Sequence, residues 1–290
     1  MTFVLLSIFC SVLVSVIIKL SRRYQISTNQ LIAWNYPTAL LLNVVFYKPD
    51  VQAISFNIGN TSLYLLLGFL LPALFLVIAV SIRYMGIVRT DIAQRVSIFI
   101  PLIAAFVIFN EVANTRSILG IAVGLLAIFF SIKWTTDNNT SEAKKNAWIY
   151  PLTIFIGMGV IDILFKQVAQ HKEVPYTTSV FFIFLIALII SFIYISLRIF
   201  KRKEKFSLSS LFWGIGLGIF NFGNILFYMK AHRAIPENPS IVFSAMNIGV
   251  IALGALVGLF IFKEKLSTLN KVGILLAIVS ILIIAGNESI

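Results

Sequence analysis

The chain is a succession of apolar runs, each about as long as a bilayer is thick, and this spacing constrains the fold more than any other feature. The runs lie at Phe3–Leu20, Gln30–Tyr47, Ser62–Ile82, Ile92–Phe109, Ser117–Trp134, Ala147–Val168, Thr178–Ile199, Leu208–Met229, Ser240–Phe262 and Thr268–Ala285. A spanning helix takes roughly 20 apolar residues, whereas a barrel strand takes about 10 that alternate in polarity. These runs are long and continuous, so helices are expected. Only 12% of the 290 residues are charged and 59% are hydrophobic, too little charge to cover a soluble fold of this size. The expectation is an all-α integral membrane protein of ten transmembrane helices with no room for a soluble catalytic domain. No positive charge precedes the first run, and Lys19, Arg22 and Arg23 follow it, so the first helix reads as retained rather than as a cleaved signal. The single Cys10 rules out an internal disulfide or a cysteine-based metal cluster, and neither a cofactor nor a metal is expected.

The polar stretch from Thr135 to Asn146 falls near the midpoint. It divides the chain into a first half of five helices at residues 1–136, a linker at 137–146, and a second half at 147–290. The ends of the halves match at a shift of 153 residues. Ile108-Phe109-Asn110-Glu111 stands against Ile261-Phe262-Lys263-Glu264, Thr115 against Thr268, Gly120-Ile121 against Gly273-Ile274, and Ile128 against Ile281. The starts align at a shift of 147, which sets Lys19 opposite Lys166. An odd number of spans per half forces the two copies to insert in opposite directions. Inverted repeats of this kind are characteristic of transporters with a site between the halves.

The residues that carry this repeat resemble those of the drug/metabolite transporter superfamily, specifically ten-helix carriers built from two EamA repeats. The resemblance covers nearly the whole chain. It is most specific where the fourth run holds Pro101 and ends in Phe-Asn-Glu before Gly120, and where the ninth ends in Phe-Lys-Glu before Gly273. Gly254 stands where a second copy of Pro101 would be, a departure from the pattern. The resemblance implies a carrier or exporter of small metabolites, amino acids or drugs, driven by protons or by exchange, and no motif fixes the substrate. The implied partners are a small-molecule substrate, the lipid bilayer and protons as coupling ion, in a monomer or homodimer of a bacterial inner or cell membrane.

The net charge of +12 would point to nucleic acid in a soluble chain, but here it reads as topology. Seventeen of the 23 basic residues fall in odd-numbered connections and six in even-numbered ones. Because short cytoplasmic loops carry the Lys/Arg excess, the count places both termini outside. The family resemblance implies both inside, and the charge count is preferred.

Polar groups within a span are costly and tend to face the bundle interior or a wet cavity. Asp162 lies about halfway along the sixth run with Lys166 one turn later. Two readings stay open, a self-neutralising structural pair and a proton-coupling site, with Asp162 the first choice for coupling. Arg95, one turn into the fourth run beside Gln94, either snorkels to the interface, attracts an anionic substrate group, or pairs with Asp162. Asn35 and Tyr36 precede Pro37, which frees a backbone carbonyl. Asn221, Asn224 and Tyr228 share a face at spacings of 3 and 4, and Asn247 follows on the ninth run. These residues are candidate substrate ligands, or helix-joining glue. Glu111 and Glu264, just before the fifth and tenth helices, read as structural capping groups, and Gly120 and Gly273 as structural. The pairs Gly214/Gly218 and Gly254/Gly258 read as close-packing positions.

No His-Glu-x-x-His or Gly-x-Ser-x-Gly occurs, so no recognisable intramembrane enzyme site can be assembled. Nothing resembles a channel filter. The best reading is a secondary transporter working by alternating access, with a channel or an unrecognised intramembrane enzyme as the alternative.

Overall fold

The computed structural model describes residues 1–50, 58–112, 114–131, 148–171, 174–201, 204–263 and 268–285. The expected linker at 137–146 and Glu264 lie outside them. Among the described residues the secondary structure is helical throughout, in ten elements: α1 Thr2–Arg23, α2 Thr28–Tyr47, α3 Ile58–Val96, α4 Phe99–Val107, α5 Thr115–Ser131, α6 Ile149–Gln170, α7 Tyr176–Phe200, α8 Leu208–Ala234, α9 Pro239–Phe260 and α10 Thr268–Ala285. Six stretches are long and apolar enough to cross a bilayer, in α1, α3, α6, α7, α8 and α9, and three shorter apolar ones lie at Ile92–Val107, Thr115–Phe130 and Lys271–Ile283. α2 is absent from both groups because Asn29, Gln30, Asn35, Tyr36 and Asn43 make it the polar helix of the set.

The third and fourth runs differ from expectation. In place of two helices separated at residues 83–91, the helical trace continues to Val96 and breaks at Ser97–Ile98. The cause is Pro101. Its ring cannot accept the carbonyl of residue 97 four positions back, but it is tolerated in the first turn of the helix that follows. Ser97 completes the break by donating its hydroxyl to the Gln94 carbonyl at 2.6 Å. α3 is nonetheless not a straight rod. Ser81 Oγ lies 2.7 Å from Thr90 Oγ1, although nine residues of straight helix span about 13 Å. The helix therefore bends sharply between them.

The packing is reciprocal. α1 lies against α8 and α9, α6 lies against α3 and α4, α2 packs on α7 and α8, and α5 packs along α10. The core runs through Tyr36, Leu67, Ile98, Phe165, Phe184, Met229 and Phe243. Large apolar side chains such as Leu41, Phe69, Ile103, Ile193, Phe212 and Leu282 face outward, an arrangement that suits lipid and not water. The chain is a multi-pass integral membrane protein. α8 approaches α2 closely, since a Cβ at Gly218 would stand 2.6 Å from the Asn35 carbonyl oxygen, an atom that cannot move aside. At Gly124 a Cβ would meet Ser280 Oγ at 2.8 Å, and Ser280 itself donates to the Gly120 carbonyl at 2.7 Å. Gly254 corrects the sequence reading, because a Cβ there meets nothing within 4 Å and no close approach requires it.

The two Phe-x-x segments at the ends of α4 and α9 have the same backbone. Asn110 and Lys263 are left-handed at φ 52° and 53°. The amides of Ile108 and Phe109 both bond the Ala104 carbonyl, as those of Ile261 and Phe262 bond Val257. Every one of these pairs is offset by 153 residues.

Candidate functional site

The expected Asp162–Lys166 pair does share one face of α6, but the two side chains go to different partners. Asp162 accepts a 3.0 Å hydrogen bond from Tyr228 Oη on α8. Lys166 is wholly buried and donates to the Pro236 carbonyl at 2.8 Å, in the turn between α8 and α9. Gln170, one turn further along α6, donates to the same carbonyl at 2.9 Å. No ion pair joins Asp162 to Lys166, so the pair does not neutralise itself. The Asp162 carboxylate is held by Tyr228 rather than by Arg95, which lies half-buried in the last turn of α3.

Glu111 corrects the capping expectation in a useful way. It does cap a helix N-terminus, but that of α9 rather than α5. Its carboxylate accepts from the Ser240 amide at 2.8 Å and from the Ser240 hydroxyl, at the second residue of α9. The left-handed Asn110 turns the chain across the bundle instead of along α5. Burial pushes the Glu111 carboxyl above its ordinary value, while the two Ser240 bonds and the Lys166 charge pull it back. Glu111 after α4, Lys166 on α6 and the α8–α9 turn thus form one polar cluster inside an apolar bundle. Phe109, two residues before Glu111, lies with its ring centroid 5.8 Å from the Lys166 ammonium.

The equivalent arrangement recurs after α9, where Lys19 Nζ sits 3.8 Å from the centroid of Phe262. Lys19 and Lys166 are the residues matched at a shift of 147, and Phe262 and Phe109 those matched at 153. The two lysines therefore make matching contacts, Lys19 with Phe262 after α9 and Lys166 with Phe109 after α4.

The remaining candidates separate into two groups. Asn224 is occupied in packing, since Ser7 on α1 donates to both its backbone and side-chain oxygens at 2.9 Å. Asn247 donates to Phe243 of its own helix at 3.1 Å, and Gln94 to Thr90 of its own helix at 3.4 Å. Asn221 is buried on α8. By contrast, the Asn35 amide and the Tyr36 hydroxyl are buried with no hydrogen-bond partner among the described residues, and the bond freed by Pro37 is not taken up by the Asn35 side chain. The Asn35 carbonyl faces Gly218.

His232 lies three residues beyond the eighth apolar run, which ends at Met229 in the sequence, and is not among the candidates that the sequence offers. It is fully buried in the last turns of α8, one turn beyond Tyr228. Its ring stands edge-on to Tyr228 at 4.7 Å and to Phe243 at 4.8 Å. The spacing of four from Tyr228 could have extended the polar stripe to it. A cleft of about 780 Å³ opens next to this cluster, lined by Gln170, His171, Val174, Pro175, Arg233 and Pro236 among others.

A family model described as the EamA-like transporter family matches residues 146–286. An uncharacterized protein of Haemophilus influenzae is 38% identical over 280 residues, covering 95% of this chain and 94% of that protein. A solved crystal structure covers 99% of both chains with a TM-score of 0.73 at 9% identity, a likeness of fold alone.

Proposed function

We propose that the chain, whose residues 146–286 form an EamA-like transporter family domain, is a secondary carrier moving a small polar solute by alternating access. The carrying observation is the polar cluster of Asp162, Tyr228, Lys166, Glu111 and Ser240, which joins both halves within the apolar bundle. Buried ionisable groups in a membrane are retained where solutes or protons pass. In this reading the ten helices are two inverted five-helix repeats, 1–136 and 147–290. Support comes from the matched ends of α4 and α9, the matched Lys19–Phe262 and Lys166–Phe109 contacts, and the reciprocal helix packing. Such repeats work by moving one half against the other around a site between them.

Asp162 is the proposed proton carrier, with Tyr228 holding its carboxylate. Lys166 answers Glu111 across the halves, so its bonds must change when they move. Asn35 and Tyr36 on the polar helix α2 are proposed substrate contacts because their polar atoms are buried without protein partners. Arg95, Gln94, Asn221, Asn224 and Asn247 have a weaker claim, and Asn224 with Asn247 now reads as structural. Export or exchange across a bacterial inner membrane, with both termini outside by the charge count, completes the proposal.

The test is counterflow in proteoliposomes, with radiolabelled amino acids and short organic acids as probes. A carrier loaded inside with unlabelled solute takes up label faster than an unloaded one. Uptake that trans solute never stimulates would contradict a carrier and favour a channel.

A further inference from the structure

Both ring nitrogens of His232 are buried and have no hydrogen-bond partner among the described residues. The hydroxyl of Ser244, the residue after the His232-packing Phe243 on α9, is likewise buried and unpartnered. Within a bilayer an unpaired polar group has no water to fall back on, so such a group persists where a ligand supplies the bond. The aromatic rings of Tyr228 and Phe243 hold the imidazole from two sides. It is fixed in place with its hydrogen-bonding capacity unspent.

Its place in the fold gives the ligand chemistry. α6 and α8 carry a ladder of polar residues inward from the cleft: Gln170, then Lys166 and His232, then Asp162 and Tyr228, at successive turns. The cleft is lined by Gln170, Arg233 and Pro236, and the Pro236 carbonyl is also what Lys166 and Gln170 hold from behind. The α8–α9 turn thus stands between the cleft and the ladder. Lys166 on α6 and His232 on α8 lie on helices packed against each other. Glu111, whose carboxylate feels the Lys166 charge, is already engaged by the Ser240 amide and hydroxyl. A cation arriving here meets Arg233 and Lys166 and is repelled. An anionic oxygen can accept from the imidazole N–H and from the protons of the Lys166 ammonium that Pro236 does not use, and Asp162 one turn deeper stops it by like charge.

We propose that His232 is a substrate-contacting, specificity-determining residue that, with Lys166, receives a carboxylate group of the transported solute. The inference rests on the carrier reading and narrows it to organic acids, including zwitterionic ones. It differs from the role of Asp162, which handles the proton.

The experiment uses the full-length protein in lipid nanodiscs, labelled with ¹⁵N-histidine, and four probes: lactate, alanine, lactamide and alaninamide. His232→Gln retains an amide donor, whereas His232→Leu retains the volume and removes the bond. The expected result is that lactate or alanine raises the thermal midpoint and shifts the His232 ring ¹⁵N resonances, that the matching amide does neither, and that the shift in midpoint is lost in His232→Leu and partly kept in His232→Gln. A variant that fails to fold leaves the wild-type resonances to decide. Amides binding as well as acids, acids binding without moving the His232 resonances, or no binding by any probe would overturn the proposal. Failure of the carrier reading looks different. Acid binding at His232 without counterflow would refute transport and keep the site, and counterflow of a solute without an acid group would do the reverse.

Discussion

α1 and α6 match in sequence at a shift of 147 residues, yet among the described side chains of the two only α6 carries a buried charge, Lys166. At a shift of 147, Asp162 corresponds to Ser15 and Lys166 to Lys19. Ser15 is exposed and bonds only back to the Ser11 carbonyl of its own helix at 3.2 Å, whereas Asp162 bonds across to α8. Lys19 is exposed and Lys166 is wholly buried, though the two make matching phenylalanine contacts. The segments matched in sequence thus share a backbone, including the left-handed residue after each phenylalanine, while of the two helices α6 carries Asp162 and the buried Lys166. In the proposed carrier two similar halves exchange conformations, while one site, Asp162, holds the proton.

The comparison can be broken most forcefully at the lysines. Lys166→Ala removes a buried charge-assisted hydrogen bond to the Pro236 carbonyl and the cation whose charge acts on Glu111, at a cost of about 1.5–3 kcal/mol. Lys19→Ala should cost no more than about 1 kcal/mol, as expected of an exposed cation. Thermal unfolding of the two variants in the same detergent measures the difference, and equal losses would refute the asymmetry.

Gly218 and Gly254 sharpen the same point for packing. Gly218→Ala places a methyl against an immovable carbonyl and should destabilise by about 1–3 kcal/mol. Gly254→Ala should be neutral or slightly stabilising, since it removes helix-interior glycine from open space. A denaturation series comparing the two is sufficient.

A smaller effect is expected at Glu111. Its carboxyl is raised in the folded state, so the stability linked to its protonated form is complete below the ordinary value of 4.5 and is lost as pH rises through the folded value. The thermal midpoint of wild type minus that of Glu111→Gln should therefore fall as pH increases from about 4.5. A difference that rises with pH would mean that Ser240 and Lys166 outweigh burial.

Much of this arrangement was legible in the residues, because membrane spans and internal repeats are written in long-range pattern. The 153-residue match located both left-handed turns, and the weaker match at 147 paired the two lysines that prove to make equivalent contacts. What escaped was direction. Sequence spacing puts Asp162 and Lys166 on one face of α6 but does not say that Tyr228 and Pro236 take them separately. It marks Glu111 as a carboxylate before a helix, yet a single left-handed residue, Asn110, sends it to α9. His232 was lost because it lies two residues before the end of α8, and only tertiary contact reveals that the last turns of this helix are buried. Pro101 was noticed as a family feature, while its local effect, breaking the helical trace at Ser97, follows from elementary sterics.

The most direct test of the central claim is solute uptake driven by a pH gradient in proteoliposomes holding wild type, Asp162→Asn or Ser15→Ala, with whichever probe solute supports counterflow. If α6 alone carries the coupling proton, Asp162→Asn loses the gradient-driven component while retaining exchange, and Ser15→Ala behaves as wild type. Gradient-driven uptake that survives unchanged in Asp162→Asn would contradict the account.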